Sequence, residues 1–109
     1  MIQAKIGSRT FRIKDCKGLS SLRGLMFDRM DDKDGALIYA NSIWMPFVKR
    51  NLNLLFLDND MKVVGNEIAA PLAPNPKTWK IYKNSGAKYC LELKDTRIRA
   101  AKGTRIKFI

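Results

Sequence analysis

Ser42-Ile43-Trp44-Met45-Pro46-Phe47-Val48-Lys49-Arg50-Asn51-Leu52-Asn53-Leu54-Leu55-Phe56-Leu57-Asp58 is the stretch that decides the fold. It gathers a Trp, a Met, two Phe and a run of aliphatics, and before Asp58 its only charges are Lys49 and Arg50. Leu54 to Leu57 is uninterrupted apolar sequence. That is too short for a buried helix and the right length for a strand covered on both faces. Pro46 and Lys49-Arg50-Asn51 split the stretch in two, which predicts two extended pieces crossing the middle of a single small core.

Outward from this centre, the flanks alternate with period two. Ile2, Ala4 and Ile6 stand against Gln3 and Lys5; after Gly7-Ser8-Arg9, Phe11 and Ile13 stand against Thr10, Arg12 and Lys14. This predicts a hairpin with one dry face and one basic, wet face. Lys and Arg on an edge strand also discourage edge-to-edge pairing. Asp15-Cys16-Lys17-Gly18 reads as a turn. Leu19, Leu22, Leu25 and Met26 have helical spacing, with Ser20 or Ser21 as cap and Gly24 as stop. Asp28 to Gly35 is a polar loop that lacks the alternating ligands and final Glu of a calcium loop.

Ala36 to Ala40 and Leu52 to Leu57 read as buried strands. Asp58-Asn59-Asp60 then turns the chain into Met61–Ile68, with Gly65 marking a bulge or a close backbone approach. Ala69 to Pro76 holds three of the four prolines and reads as an extended loop. Tyr89, Leu91 and Leu93 form another two-faced strand. Asp95-Thr96 is expected to cap a helical turn through Ala101, and Ile106 and Phe108 lie on a last strand. The expectation is a mainly β chain of one domain, residues 1–109. Its architecture is a small β-sandwich or jelly-roll-like barrel of about seven or eight short strands, with one or two short helical turns.

The chain has 109 residues, enough to hide roughly two thirds of its unfolded surface. No apolar run approaches the ~20 residues that span a bilayer, and Met1 to Ile6 has no signal-peptide pattern; both point to a soluble cytoplasmic protein. The chain has no His and only two cysteines, Cys16 and Cys90, far apart. No metal site, redox motif or cofactor is readable, and the cysteines are expected as separate reduced thiols. Net charge is +11, divided as +5 over residues 1–27, −2 over 28–76 and +8 over 77–109. Such a field attracts polyanions.

Several pieces recur in a familiar order: Arg23-Gly24-Leu25-Met26-Phe27, then Gly35-Ala36-Leu37-Ile38-Tyr39, then Ile43-Trp44-Met45, an apolar strand ending in Asp58, and Ala87-Lys88-Tyr89-Cys90-Leu91-Glu92-Leu93. In this the chain resembles the uncharacterised family called domain of unknown function 192 (DUF 192), over roughly residues 15–109. The resemblance implies a compact, jelly-roll-like β domain of bacteria and archaea with no established activity. Many members are exported, and the present start suggests an archaeal or cytoplasmic form. The family pattern has Lys-Asn after Trp-Met and then Pro-Leu-Asp. Here Pro46-Phe47 and Asn51-Leu52-Asn53 stand instead, so Asn53 cannot act as an acid or base.

Three functions are weighed. The first is a non-catalytic module binding a small molecule, either an anion or a glycan, through Arg23, Met26, Trp44, Met45, Asp58 and Glu92. Arg23 would offer a planar fork and Trp44 a stacking face at the mouth of a pocket. The plainer alternative makes Trp44, Met45, Met26 and Phe27 core, and pairs Arg23 with Glu92 or Asp58. The second is nucleic-acid binding, with Lys77, Lys80, Lys83 and Lys88 on phosphates and Trp79, Tyr82 and Tyr89 stacking on bases. The third is an enzyme using Asp58 and Glu92 as acid and base. Without His, a metal cluster or a nucleophile motif, the reading favours no catalysis.

Overall fold

The computed structural model describes residues 2–16, 32–44, 51–70 and 81–109, with Trp44 described by its backbone. The described residues form nine strands: β1 (Ile2–Ile6), β2 (Arg9–Cys16), β3 (Gly35–Ile38), β4 (Ser42–Trp44), β5 (Leu52–Leu57), β6 (Val63–Ala69), β7 (Ile81–Lys83), β8 (Tyr89–Leu93) and β9 (Lys107–Phe108). Seven form one sheet in the order β6-β5-β8-β3-β2-β1-β9, and β4 pairs with β7 in a small second sheet. The mainly β architecture is as the residue pattern predicts.

The first hairpin forms in the expected register, Ile6 opposite Arg9 across Gly7-Ser8. Gly7 has φ +60, the first-position glycine of a type II′ turn whose twist suits a two-residue hairpin. The β5–β6 hairpin turns through Asn59, Asp60 and Met61. Met61 takes φ +62, and its N–H donates to the Asp58 carbonyl at 3.0 Å. That left-handed residue follows the type I turn of a three-residue hairpin loop, where glycine is usual.

The sheet curls until its edges meet. Arg105 bridges Lys62, Val63 N–H donates to the Thr104 carbonyl, and Ile106 N–H donates to the Met61 carbonyl. The chain then continues into β9, which pairs with β1. A segment beside one edge strand is thereby tied to the start of the other. Such closure protects backbone groups that an open sheet would expose.

Curling divides the interior, so the single core expected from the central stretch is two. Inside the curl lie Ala4, Phe11, Ile13, Leu37, Leu55, Leu57, Leu91, Leu93 and Ile106. On the outer face Cys16, Ala36, Ile38, Leu52, Leu54, Phe56 and Cys90 pack with Ile43 and Tyr82 of the small sheet. Strand β5 lies between β6 and β8 and serves both cores, so all six of its residues are buried. Each fully buried Leu or Phe there contributes about 1.5–3 kcal/mol.

Two sequence expectations change. Asp15-Cys16 is not a turn: β2 runs on through Cys16 because it pairs in parallel with β3, Asp15 opposite Leu37 and Cys16 opposite Ile38, and the Cys16 side chain is buried. The segment from Asp95 to Ala101 is not a helical turn. Asp95 does cap locally, accepting the Arg97 N–H at 3.0 Å. The carbonyls that a helix would need are taken by side chains instead: Asn53 Nδ2 donates to those of Asp95 and Ile98, and Arg99 to those of Thr96 and Ile98. The expected helical turn at Leu19–Leu25 and the proline-rich loop beyond Ala70 lie outside the described residues.

Gly65 marks the expected bulge, and what approaches its backbone closely is a side chain, that of Asn84. The register slips at Phe56/Leu57, Phe56 facing Gly65 and Leu57 facing Val63, so Val64 is the extra residue of a bulge. A Cβ on Gly65 would also stand 2.6 Å from Asn84 Nδ2. The cysteines are free and buried. Cys16, Ile38 and Cys90 are successive neighbours across three strands, which sets the two sulfurs' backbones roughly 10 Å apart. A disulfide needs less than about 7 Å.

Candidate functional site

Register places chemistry on the outer face. One row across the sheet runs Glu67, Leu54, Glu92, Ala36, Lys14. All five point to the same side as Cys90 and Cys16, because side chains alternate along each strand. Glu92 is at the middle of that row and is 4% exposed. Its neighbours along the sheet are Leu54 and Ala36, both in the outer core.

The backbone there is held close. Gly35 starts β3 opposite Leu93, and a Cβ on it would stand inside the Glu92 carbonyl oxygen, at 1.9 Å. Only glycine lets β3 lie this near β8. The N–H of Arg12 donates to the Asp34 carboxylate at 2.7 Å, and Lys94 N–H donates to the Asp34 carbonyl at 2.9 Å. These contacts fix where β3 begins and hence where Glu92 sits.

One oxygen of the Glu92 carboxyl is unsatisfied: Oε1 is buried and accepts no hydrogen bond. Burial pushes its pKa from 4.5 up to about 8, because a low-dielectric site disfavours the charged form. The group is therefore largely a neutral acid near pH 7, offering one O–H donor and a carbonyl acceptor. Burial likewise pushes the Cys90 thiol well up and raises Cys16; inert, protonated thiols result.

Asp58 is placed elsewhere. It ends β5 and caps the turn, accepting the N–H groups of Asp60 at 2.8 Å and Lys62 at 3.0 Å. The hydrogen bond from Lys62 N–H, and then that from Asp60, lowers its pKa. Leu54 is the β5 partner of Glu92, so Asp58 is displaced by four residues along the sheet, roughly 13 Å. Carboxyl pairs sharing one reaction stand about 5–9.5 Å apart. Arg23, Met26, Met45 and the Trp44 side chain lie outside what the structure describes.

Of the residues named for nucleic acid, Lys77, Trp79 and Lys80 also lie outside the described residues. Lys83 and Lys88 are exposed, but between Ile81 and Lys83 the Tyr82 ring turns inward. Tyr82 is 7% exposed and its hydroxyl accepts the Ala70 N–H at 3.0 Å. The strand alternation that exposes Lys83 buries Tyr82, so this ring is not a free stacking platform. Tyr89 packs edge-on against Tyr39, centroids 5.2 Å apart, and the Tyr39 hydroxyl donates to Asp15 at 2.7 Å.

One polar centre was not legible as such. Asn53, fully buried, donates to the Asp95 and Ile98 carbonyls and accepts from Asn66 Nδ2 at 2.6 Å. Asn66 Nδ2 also donates to the Leu54 carbonyl at 3.2 Å. An Asp at position 53 could not make the two donations, so the departure noted in the sequence has a structural use. Among the described residues no group of three or more His, Cys, Asp or Glu could hold a metal, and no helix is long and apolar enough to cross a membrane.

Comparison with known proteins bears on the fold. A proposed transcription regulator from Sinorhizobium meliloti 1021 is similar with a TM-score of 0.74 and 18% identity, over 98% of this chain and 91% of that one. A protein of unknown function from Novosphingobium aromaticivorans DSM 12444 is similar with a TM-score of 0.73 and 18% identity, over 97% of this chain and 82% of that one. No curated protein matches the sequence. The family model described as DUF192, uncharacterized ACR, matches residues 11–108. With nearly its whole length matched, the chain belongs to the DUF192 family.

Proposed function

We propose that the chain is a non-catalytic binding module that takes a small hydroxyl-bearing ligand, of the glycan class, against the outer face of the sheet at Glu92. The observation that carries this reading is the buried, unpartnered Oε1 of Glu92. Buried polar atoms are nearly always hydrogen-bonded, and an orphan is a place where a partner fits. A neutral carboxyl donates and accepts at once, which matches a sugar hydroxyl better than it matches an anion. Arg23, Met26, Trp44 and Met45 are proposed, from the sequence, to contribute the rest of the contact surface. The distance between Asp58 and Glu92 supports binding over acid–base catalysis, since neither can complete the work of the other.

Thermal shift across sugars, organic acids and nucleotides tests this, run on the native chain and on Glu92→Leu. A bound sugar at about a hundred times its Kd stabilises by ~2.7 kcal/mol, a shift of roughly 10 °C or more for a domain near this size. Glu92→Leu should lose that response while remaining folded. A panel without a sugar-class hit, or a response undiminished in Glu92→Leu, rejects the reading.

A further inference from the structure

A groove of about 440 Å³ lies on another part of the surface, between the Gly7-Ser8-Arg9 turn and residues 97–101, with Thr104 at its end. It is of a size that holds a small molecule. Three arginines line it, Arg9, Arg97 and Arg99, and no acidic residue does. Its apolar lining is Ile6, Ile98, Ala100 and Ala101; the first three pack partly against the core inside the curl.

The arginines are held in place but not neutralised. Arg9 Nη1 donates to Asp95 at 3.3 Å, and Arg97 donates to the same carboxylate through Nε at 3.1 Å and Nη2 at 3.2 Å. One carboxylate thus serves two guanidiniums. Arg99 uses Nη1 on the Thr96 and Ile98 carbonyls, at 2.6 and 2.9 Å, which carry no formal charge. Three cations against one anion leave an excess of two positive charges beside an apolar floor. Each guanidinium has five N–H donors, and these contacts leave donors over on all three. The Arg9 guanidinium carbon also stands over the Phe11 ring, 4.8 Å from its centroid, a cation–π contact, and a guanidinium can itself stack on a flat ring.

We propose that this groove binds a nucleotide, with its phosphate on the arginines and its base on Arg9 and the apolar floor. Phosphate suits the bidentate fork of Arg, and a flat ring suits a floor of Ile98 and Ala100 beside a stacked guanidinium. The nucleotide could be free or part of a single strand, since the recognition chemistry is the same. The assignment does not depend on Glu92, which lies on a different surface of the sheet.

Backbone-amide NMR titration at low salt tests it, with AMP, adenosine, inorganic phosphate and a short oligothymidylate as probes. AMP should move the amides of Gly7, Ser8 and Thr104, and adenosine or phosphate alone should bind at least about tenfold more weakly. Tighter, salt-dependent binding of the oligothymidylate identifies a strand as the source; affinity equal to that of a mononucleotide identifies free nucleotide. The double variant Arg97→Gln, Arg99→Gln should weaken AMP at least about tenfold. Ala101→Asp, at an exposed position that removes no arginine contact, should do the same by adding a carboxylate to the groove, and its dispersed spectrum verifies folding. The proposal is overturned if these amides stay still with AMP, if inorganic phosphate reproduces the AMP affinity, or if folded Ala101→Asp binds as the native chain does.

Discussion

Among the described residues, replacing Glu92 by Gln should change how stability depends on pH more than any other single substitution. Burial moves the carboxyl from 4.5 to about 8 in the folded chain. Between those values the folded state holds a proton that the unfolded chain has released. Stability contributed by the neutral acid is therefore full below about pH 4.5, falls as pH rises through the window, and is lost above about pH 8. At ~1.4 kcal/mol per pH unit the fall amounts to ~5 kcal/mol, a large part of the 5–15 kcal/mol available to a domain. The other ionisable residues in its row are Glu67 and Lys14, two strands away on either side, and Cys90 and Cys16 share its face. The raised thiols titrate above the window, and the lowered carboxyls of Asp58 and Asp95 titrate below it. Urea denaturation at steps from about pH 5 to about pH 9 should show the native chain losing stability, with Glu92→Gln nearly flat by comparison. Parallel curves for the two proteins would refute the burial argument.

Four further outcomes are expected. Gly35→Ala should cost more than about 3 kcal/mol by chemical denaturation, because its Cβ meets the Glu92 backbone carbonyl at 1.9 Å and backbone cannot step aside. Gly65→Ala should cost less, since its neighbour at 2.6 Å is the tip of Asn84, whose 3.3 Å donation to the Val64 carbonyl is the interaction at risk. Asn53→Asp should destabilise by about 3 kcal/mol or more near neutral pH, leaving a buried charge facing the Asp95 and Ile98 carbonyls; the loss should shrink in acid as the new carboxyl protonates. Cys16 and Cys90, both 0% exposed, should react with a thiol reagent only in denaturant, and two fast-reacting thiols in the native chain would contradict their placement.

Much of this architecture is written in local pattern. Leu54 to Leu57 announces a strand buried on both sides because no polar residue interrupts it, and Gly65 announces irregularity because a glycine has little other use inside a strand. What pattern cannot encode is which strands become neighbours. The pairing of β2 with β3, which keeps Asp15-Cys16 extended, joins segments separated by a crossover. The Asp95–Ala101 segment has a capping residue in Asp95, and its carbonyls are diverted by Asn53 arriving from β5 and by Arg99 within the segment. The candidate site was half legible for the same reason. Glu92 stands in an alternating strand where either face could be wet, so its burial depends on what covers the sheet. Asp58 and Glu92 look equivalent as letters, yet one caps a turn in water and the other lies in apolar surroundings. The arginine groove had no signal in spacing, because its walls come from opposite ends of the chain.

The tie between the sheet's two edges also governs how the molecule must assemble. Its residues Thr104 to Ile106 lead straight into β9, beyond which Ile109 exchanges backbone hydrogen bonds with Gln3, at 3.0 and 2.8 Å, so the earliest and latest strands meet across nearly the whole sequence. Contacts of such separation form slowly, since chain entropy is lost before they contribute. A chain whose seam is still open has two unpaired margins of pleated backbone, and those margins are the part of this curled sheet most exposed to edge-to-edge aggregation.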